Sequence, residues 1–216
     1  MESMPIRPAF WNIPFWAEIG VYVVGLIAAI ACIIGICQCV RLWRAGRPQN
    51  LPEHKKDRWL GVWRDAFMHR RLLKTPSGLI HFFIFWGFVF LFFGTATAVL
   101  DWDIAHYLFD ARLLKGNLYL AYKFILDLAG LLTLIGLAVA AWRRFAVKGK
   151  KLERSWRFAW ILTSLAIIVL TGFVVEGLRL AAQQPEWAIY SPVGYAFSLV
   201  FLKMFTPDQL QGAHFT

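Results

Sequence analysis

One imidazole interrupts the apolar run Gly78-Leu79-Ile80-His81-Phe82-Phe83-Ile84-Phe85-Trp86-Gly87-Phe88. In an apolar medium an imidazole is costly to keep without a task, and in its neutral form it is a ready axial ligand for haem iron. His81 therefore points to a b-type cytochrome; the plainer use of the same side chain is a hydrogen bond bridging two helices. If His81 faces inward on a helix, Ile84, Phe85, Phe88, Phe92 and Thr95 share its face and make one wall of a macrocycle pocket. Gly87 and Gly94 fall on another face, where they suggest a close helix contact.

Four charged residues stand in apolar stretches further on. Lys123 and Asp127 are one helical turn apart, and Glu176 and Arg179 are close on a second stretch. Read as two pairs, they neutralise one another and snorkel. Read as a site, they form a proton-handling edge of a quinone pocket, because a quinone takes up protons with its electrons. Cys32, Cys37 and Cys39 lie together on the first apolar stretch, at a spacing that fits neither a CxxC redox pair nor a zinc site, and are read as small apolar filler.

The elements that must position these residues follow from composition. With 59% hydrophobic and 17% aromatic residues in 216, the chain exceeds the apolar content of soluble domains and is read as a membrane protein. Residues 17–40, 79–100, 118–142 and 158–180 each reach the roughly 20 apolar residues needed to cross the hydrocarbon layer. Residues 193–205, after Pro192, are too short to cross and are expected to lie on the outer surface or re-enter. Residues 57–73 gather Trp59, Leu60, Val62, Trp63, Ala66 and Phe67 on one side, as a helix lying among headgroups does. The expected fold is all-α, a polytopic bundle of four transmembrane helices in one domain.

The net charge of +10 does not indicate nucleic acid. Of 23 Lys and Arg, ten lie between Arg41 and Lys74 and seven between Arg143 and Arg157. By the positive-inside rule both segments are cytoplasmic, which puts the N-terminus outside a bacterial inner membrane along with the loop 101–117, acidic at Asp101, Asp103 and Asp110. Such a basic cytoplasmic rim attracts a soluble electron donor. His54 and His69, within it, are read as solvated.

The string Leu79-Ile80-His81-Phe82-Phe83-Ile84-Phe85-Trp86-Gly87-Phe88, ending in Phe92-Phe93-Gly94-Thr95, resembles the second helix of the respiratory nitrate reductase gamma-subunit superfamily. It resembles more closely the membrane domains of heterodisulfide-reductase-related Fe-S oxidoreductases, including the ETF:menaquinone oxidoreductases. Asp127-Leu128-Ala129-Gly130, Thr171-Gly172-Phe173-Val174-Val175-Glu176-Gly177-Leu178-Arg179 and Tyr190-Ser191-Pro192-Val193-Gly194 extend the likeness over most of the chain. The resemblance implies haem b and quinone or quinol as cofactor and substrate, with Glu176 the favoured proton residue. It also implies a cytoplasmic Fe-S or flavin partner, the clusters lying on that partner or on a further C-terminal domain. Gamma subunits carry two ligating His ten residues apart on this helix; His81 matches the first, and Leu91 stands at the second.

One haem is expected at His81, and a second is left open. In the family the opposing ligands stand on a fifth helix, so the trans ligand is expected from a further helix or another subunit. His214 is a candidate for an outer haem or a quinol site, and His106 for a replacement ligand. The expected role is electron transfer between a cytoplasmic Fe-S or flavin oxidoreductase and the quinone pool, with the direction open. The alternative is a haem-free membrane anchor or small transporter.

Overall fold

The computed structural model describes residues 5–6, 9–10, 13–46, 54–146, 156–206 and 209–210. Regular structure among them is helical, apart from an isolated antiparallel bridge between Ile6 and Lys115. Four helices are long and apolar enough to cross a membrane, so the chain is an all-α membrane helix bundle.

Two compact units are present. In the first, Phe10–Trp63, helix α1 (Phe15–Arg44) is apolar all round and buries none of its residues within the protein. Glu18 in its first turn and Arg41 and Arg44 in its last complement the helix dipole. Helix α2 (Lys55–Val62) follows. The continuous helix expected over 57–73 is not formed: five residues of π-helix, Trp63–Phe67, end in His69 at φ 51°. A right-handed helix cannot pass through a left-handed residue, and a short 3-10 turn, Leu72–Lys74, completes the connection.

The second unit holds the remaining long helices. Thr75 caps α3 (Pro76–Val99): its Oγ1 accepts from the Gly78 N–H at 3.1 Å, and Pro76 fills the first turn, where no amide donor is needed. The helix runs on through a π-helical segment, Leu100–His106, into α4 (Tyr107–Phe109). Beyond it, buried Asp101 accepts hydrogen bonds from the amides of Leu113 and Leu114 at 2.5 and 2.8 Å and pairs with Arg112 at 3.4 Å, which folds the connection back. This aspartate of the acidic loop is therefore an internal clasp.

Helix α5 (Gly116–Phe145) returns antiparallel to α3 and makes its main packing with it. Gly87 and Gly94 allow the close approach expected of them. A methyl at Gly87 would run into Thr133, and one at Gly94 would come within 2.5 Å of Leu126. The Tyr122 hydroxyl donates to the Gly94 carbonyl at 2.8 Å across the same seam. Helix α6 (Trp156–Gln183) packs on α5, and after a 3-10 turn at Glu186–Tyr190 the short helix α7 (Pro192–Met204) turns back along α6. Phe197 stacks on Phe173 of α6, centroids 6.2 Å apart and 11° from parallel, so α7 re-enters the bundle.

Candidate functional site

Three of the four charged residues form one network: the Glu176–Arg179 pair is kept, and Lys123 joins it in place of pairing with Asp127. Lys123 Nζ on α5 reaches Glu176 Oε1 on α6 at 3.1 Å, and Arg179 binds the other carboxylate oxygen. Ser191 Oγ stands 3.5 Å from Oε1, and buried Tyr119 reaches Arg179. Asp127 does not partner Lys123. It accepts from the Val193 amide at 2.7 Å and the Gly194 amide at 3.2 Å, capping α7 from a different helix. The physical reason is supply: the first turn of α7 has unpaired N–H groups and a positive dipole end, and its own Ser191 makes no cap bond. Lys123, Asp127 and Ser191 are at most 6% exposed. The arrangement places one carboxylate between two cations inside an apolar bundle, beside a hydroxyl and a helix N-terminus. Such a cluster can orient a polar ligand and pass a proton.

The second cluster lies toward the other end of the bundle, about 20 Å away by the 13-residue offset along α5 between Lys123 and Gly136, which sits against Ile84 and Ile80. His81 does not face α5. The buried side of α3 carries Gly87, Gly94 and Ala98, and His81, Phe92 and Thr95 are exposed on the side away from it. The small residues take the seam because only they let the two backbones approach.

Beside His81 stands His69, which is buried and not, as expected of its basic segment, solvated. It is 3% exposed, its ring 5.6 Å from that of His81, 4.7 Å from Phe85 and 5.8 Å from Phe82. The left-handed turn at His69 swings the imidazole under the start of α3, and Gly78 lets the Leu72 backbone lie against that helix. The only sequence signal was Thr75-Pro76, which marks a helix start and makes the stretch from 69 to 75 a short connector. Ser191 was legible only as part of a Ser-Pro helix start, and Tyr119 carried no signal.

His106 does not meet His81. They stand 25 residues apart on the helix running from Pro76 to Phe109, about 37 Å at helical rise. His106 instead stacks on Trp102 at 4.7 Å, with Nδ1 3.7 Å from Asp110. His214 lies outside the described residues. His54 is exposed beside Asp57, and Cys32, Cys37 and Cys39 are free thiols. Among the described residues no three His, Cys, Asp or Glu gather as a metal-ion cluster.

No protein-family profile matches the chain, and no solved structure matches it significantly. Over 184 residues, 84% of the chain, it is 30% identical to the EtfAB:quinone oxidoreductase of Syntrophomonas wolfei subsp. wolfei. Over 159 residues, 72% of the chain, it is 27% identical to FadF of Bacillus subtilis, a probable iron-sulfur-binding oxidoreductase. The aligned parts are 25% and 22% of those proteins, so the chain spans about a quarter of the length of the curated relatives it matches. Most of this helix bundle is thus similar to one part of two larger oxidoreductases.

Proposed function

We propose that the chain is the membrane electron-transfer part of a quinone-linked oxidoreductase, exchanging electrons between a soluble Fe-S or flavin protein or domain and the quinone pool. The observation that carries this reading is the 30% identity over 184 residues to a quinone oxidoreductase. The charged network supports it. Glu176 stands between Lys123 and Arg179, so a proton arriving at or leaving a quinone oxygen nearby is exchanged with a carboxylate whose charge the two cations balance. Ser191 offers a hydroxyl to the same oxygen, and Asp127 holds α7 in place to present it.

His81 suits a nitrate reductase gamma-like haem b. Its ring nitrogens have no hydrogen-bond partner among the described residues, it stands on the open side of α3, and Phe85 flanks it at 6.4 Å. When bound there, haem b supplies one-electron carriage. Arg143, Arg144 and Arg157, at the same end of the bundle as His81, favour by the positive-inside rule the reading in which that end is on the cytoplasmic side of a bacterial inner membrane. On that reading the charged network belongs to the outer half.

A reduced-minus-oxidised spectrum of the purified chain tests this. A b-type α-band that His81→Ala abolishes is the expected result. A band that survives His81→Ala removes His81 from the assignment, and the lack of any band leaves the haem-free anchor.

A further inference from the structure

We infer that the first turns of α6 hold one anionic diacyl phospholipid, its phosphate on Arg157 and its chains along Trp160 and Ile161. No haem is needed for this site, which lies outside the redox reading above.

Trp156, Arg157, Trp160 and Ile161 line a groove of about 490 Å³, within the range of about 300–1,000 Å³ found for small-molecule sites. By helical rotation these four fall within about 140° of the circumference of α6. Val169, Phe173 and Leu180, which are buried, fall on the opposite side. The groove therefore faces out of the bundle, and Trp156 and Trp160 are 78% and 64% exposed. Phe158, on another side of the same turns, is taken by the Arg144 guanidinium of α5 at 4.0 Å. Arg157 has no such partner among the described residues.

The lining has the chemistry of a phospholipid where headgroup meets chain. A guanidinium presents a planar fork that binds a phosphate through two N–H···O bonds. An indole has an apolar body and one N–H donor, which suits it to the ester oxygens just below. Neither indole nor the guanidinium makes a hydrogen bond to the protein among the described residues. Ile161, Ile167 and Ile168 continue the stripe along α6, exposed and apolar, as a bed for acyl chains. Charge then selects the headgroup. From Arg143 to Arg157 the chain holds seven Lys or Arg against one carboxylate, Glu153, so an anionic lipid gains more there than a zwitterionic one. An acidic soluble protein would meet the same charge, but not the isoleucines, which lie along a helix long enough to cross the membrane.

The test uses the full chain in a nonionic detergent, stripped of lipid and titrated with phosphatidylglycerol, read by native mass spectrometry and by the midpoint of thermal unfolding. One bound lipid per chain and a raised midpoint are expected, with phosphatidylcholine and inorganic phosphate giving neither. Arg157→Gln should weaken phosphatidylglycerol binding roughly tenfold, by loss of charge-assisted hydrogen bonds. Trp160→Ala should weaken it too, and Arg157→Lys, which keeps the charge without the fork, should weaken it less than Arg157→Gln. Arg44→Gln removes the same charge at the end of α1 and should leave binding unchanged. Equal binding of phosphatidylcholine, or equal losses in Arg157→Gln and Arg44→Gln, overturns the inference in favour of unspecific anchoring. A midpoint raised as far by inorganic phosphate shows an anion site without a lipid and also overturns it. No response to phosphatidylglycerol overturns it and leaves the groove to an acidic protein. Each of these failures leaves the redox reading standing.

Discussion

Glu176→Gln removes the one negative charge from between buried Lys123 and half-buried Arg179 while keeping the shape of the side chain. Breaking a buried ion pair by deleting one partner costs about 3–5 kcal/mol, because the other charge is left uncompensated. Here two charges are orphaned, Lys123 at 3.1 Å and Arg179 on the second oxygen. A quarter of the Glu176 side chain is exposed, which argues for the lower end, about 3 kcal/mol. Lys123→Met provides the contrast. It leaves the Glu176–Arg179 pair whole and removes an amine that was itself costly to bury, so about 1 kcal/mol is expected. Reversible unfolding in mixed micelles, followed by far-UV circular dichroism, measures both. Equal losses in the two variants, or a Glu176→Gln loss under about 0.5 kcal/mol, would refute the picture of one carboxylate neutralising two cations.

Asp127→Ala should lower stability by about 2 kcal/mol, because the Val193 and Gly194 amides lose their acceptor; proteolysis within 192–204 should accelerate, and an unchanged digestion pattern would count against the cap. Gly94→Val should cost about 2–3 kcal/mol by forcing α3 off Leu126, whereas Gly172→Ala, with nothing within 4 Å of the added methyl, should be neutral or slightly stabilising in the same unfolding assay. Similar values for the two would argue against the close α3–α5 seam. Reporter fusions after Trp142 should read as cytoplasmic and fusions within 103–115 as external; the reverse pattern would invert the proposed orientation.

The long helices were legible because hydropathy over some 20 residues depends on composition and not on partners. The glycine seam was legible for a similar reason: Gly87 and Gly94 share a face wherever the helix packs. What failed were contacts between elements distant in sequence. Lys123 and Asp127 satisfy an i, i+4 rule, yet each is claimed by a group more than 50 residues away, Glu176 in one case and the Val193 and Gly194 amides in the other. His69 was hidden differently. Its burial depends on a single left-handed backbone angle, which no periodicity encodes. The direction in which His81 faces likewise depends on which side of α3 the glycines take.

The lengths of α3 and α5 bear on the surrounding lipid. At 30 residues α5 is about 45 Å long, against a hydrocarbon layer of about 30 Å. A tilt of about 20° absorbs only about 2 Å of that excess, so roughly one turn projects past the hydrocarbon at each end. The 34-residue helix through Phe109 overhangs further. Where α5 ends and α6 begins, the Arg144 guanidinium lies 4.0 Å above the Phe158 ring, joining the two helix ends. A bundle with overhang on both sides meets bilayers of different thickness by letting the lipid boundary slide along it, with its helices unbent. Under the proposed function, the surface that meets a soluble redox partner is a collar of protein raised above the lipid.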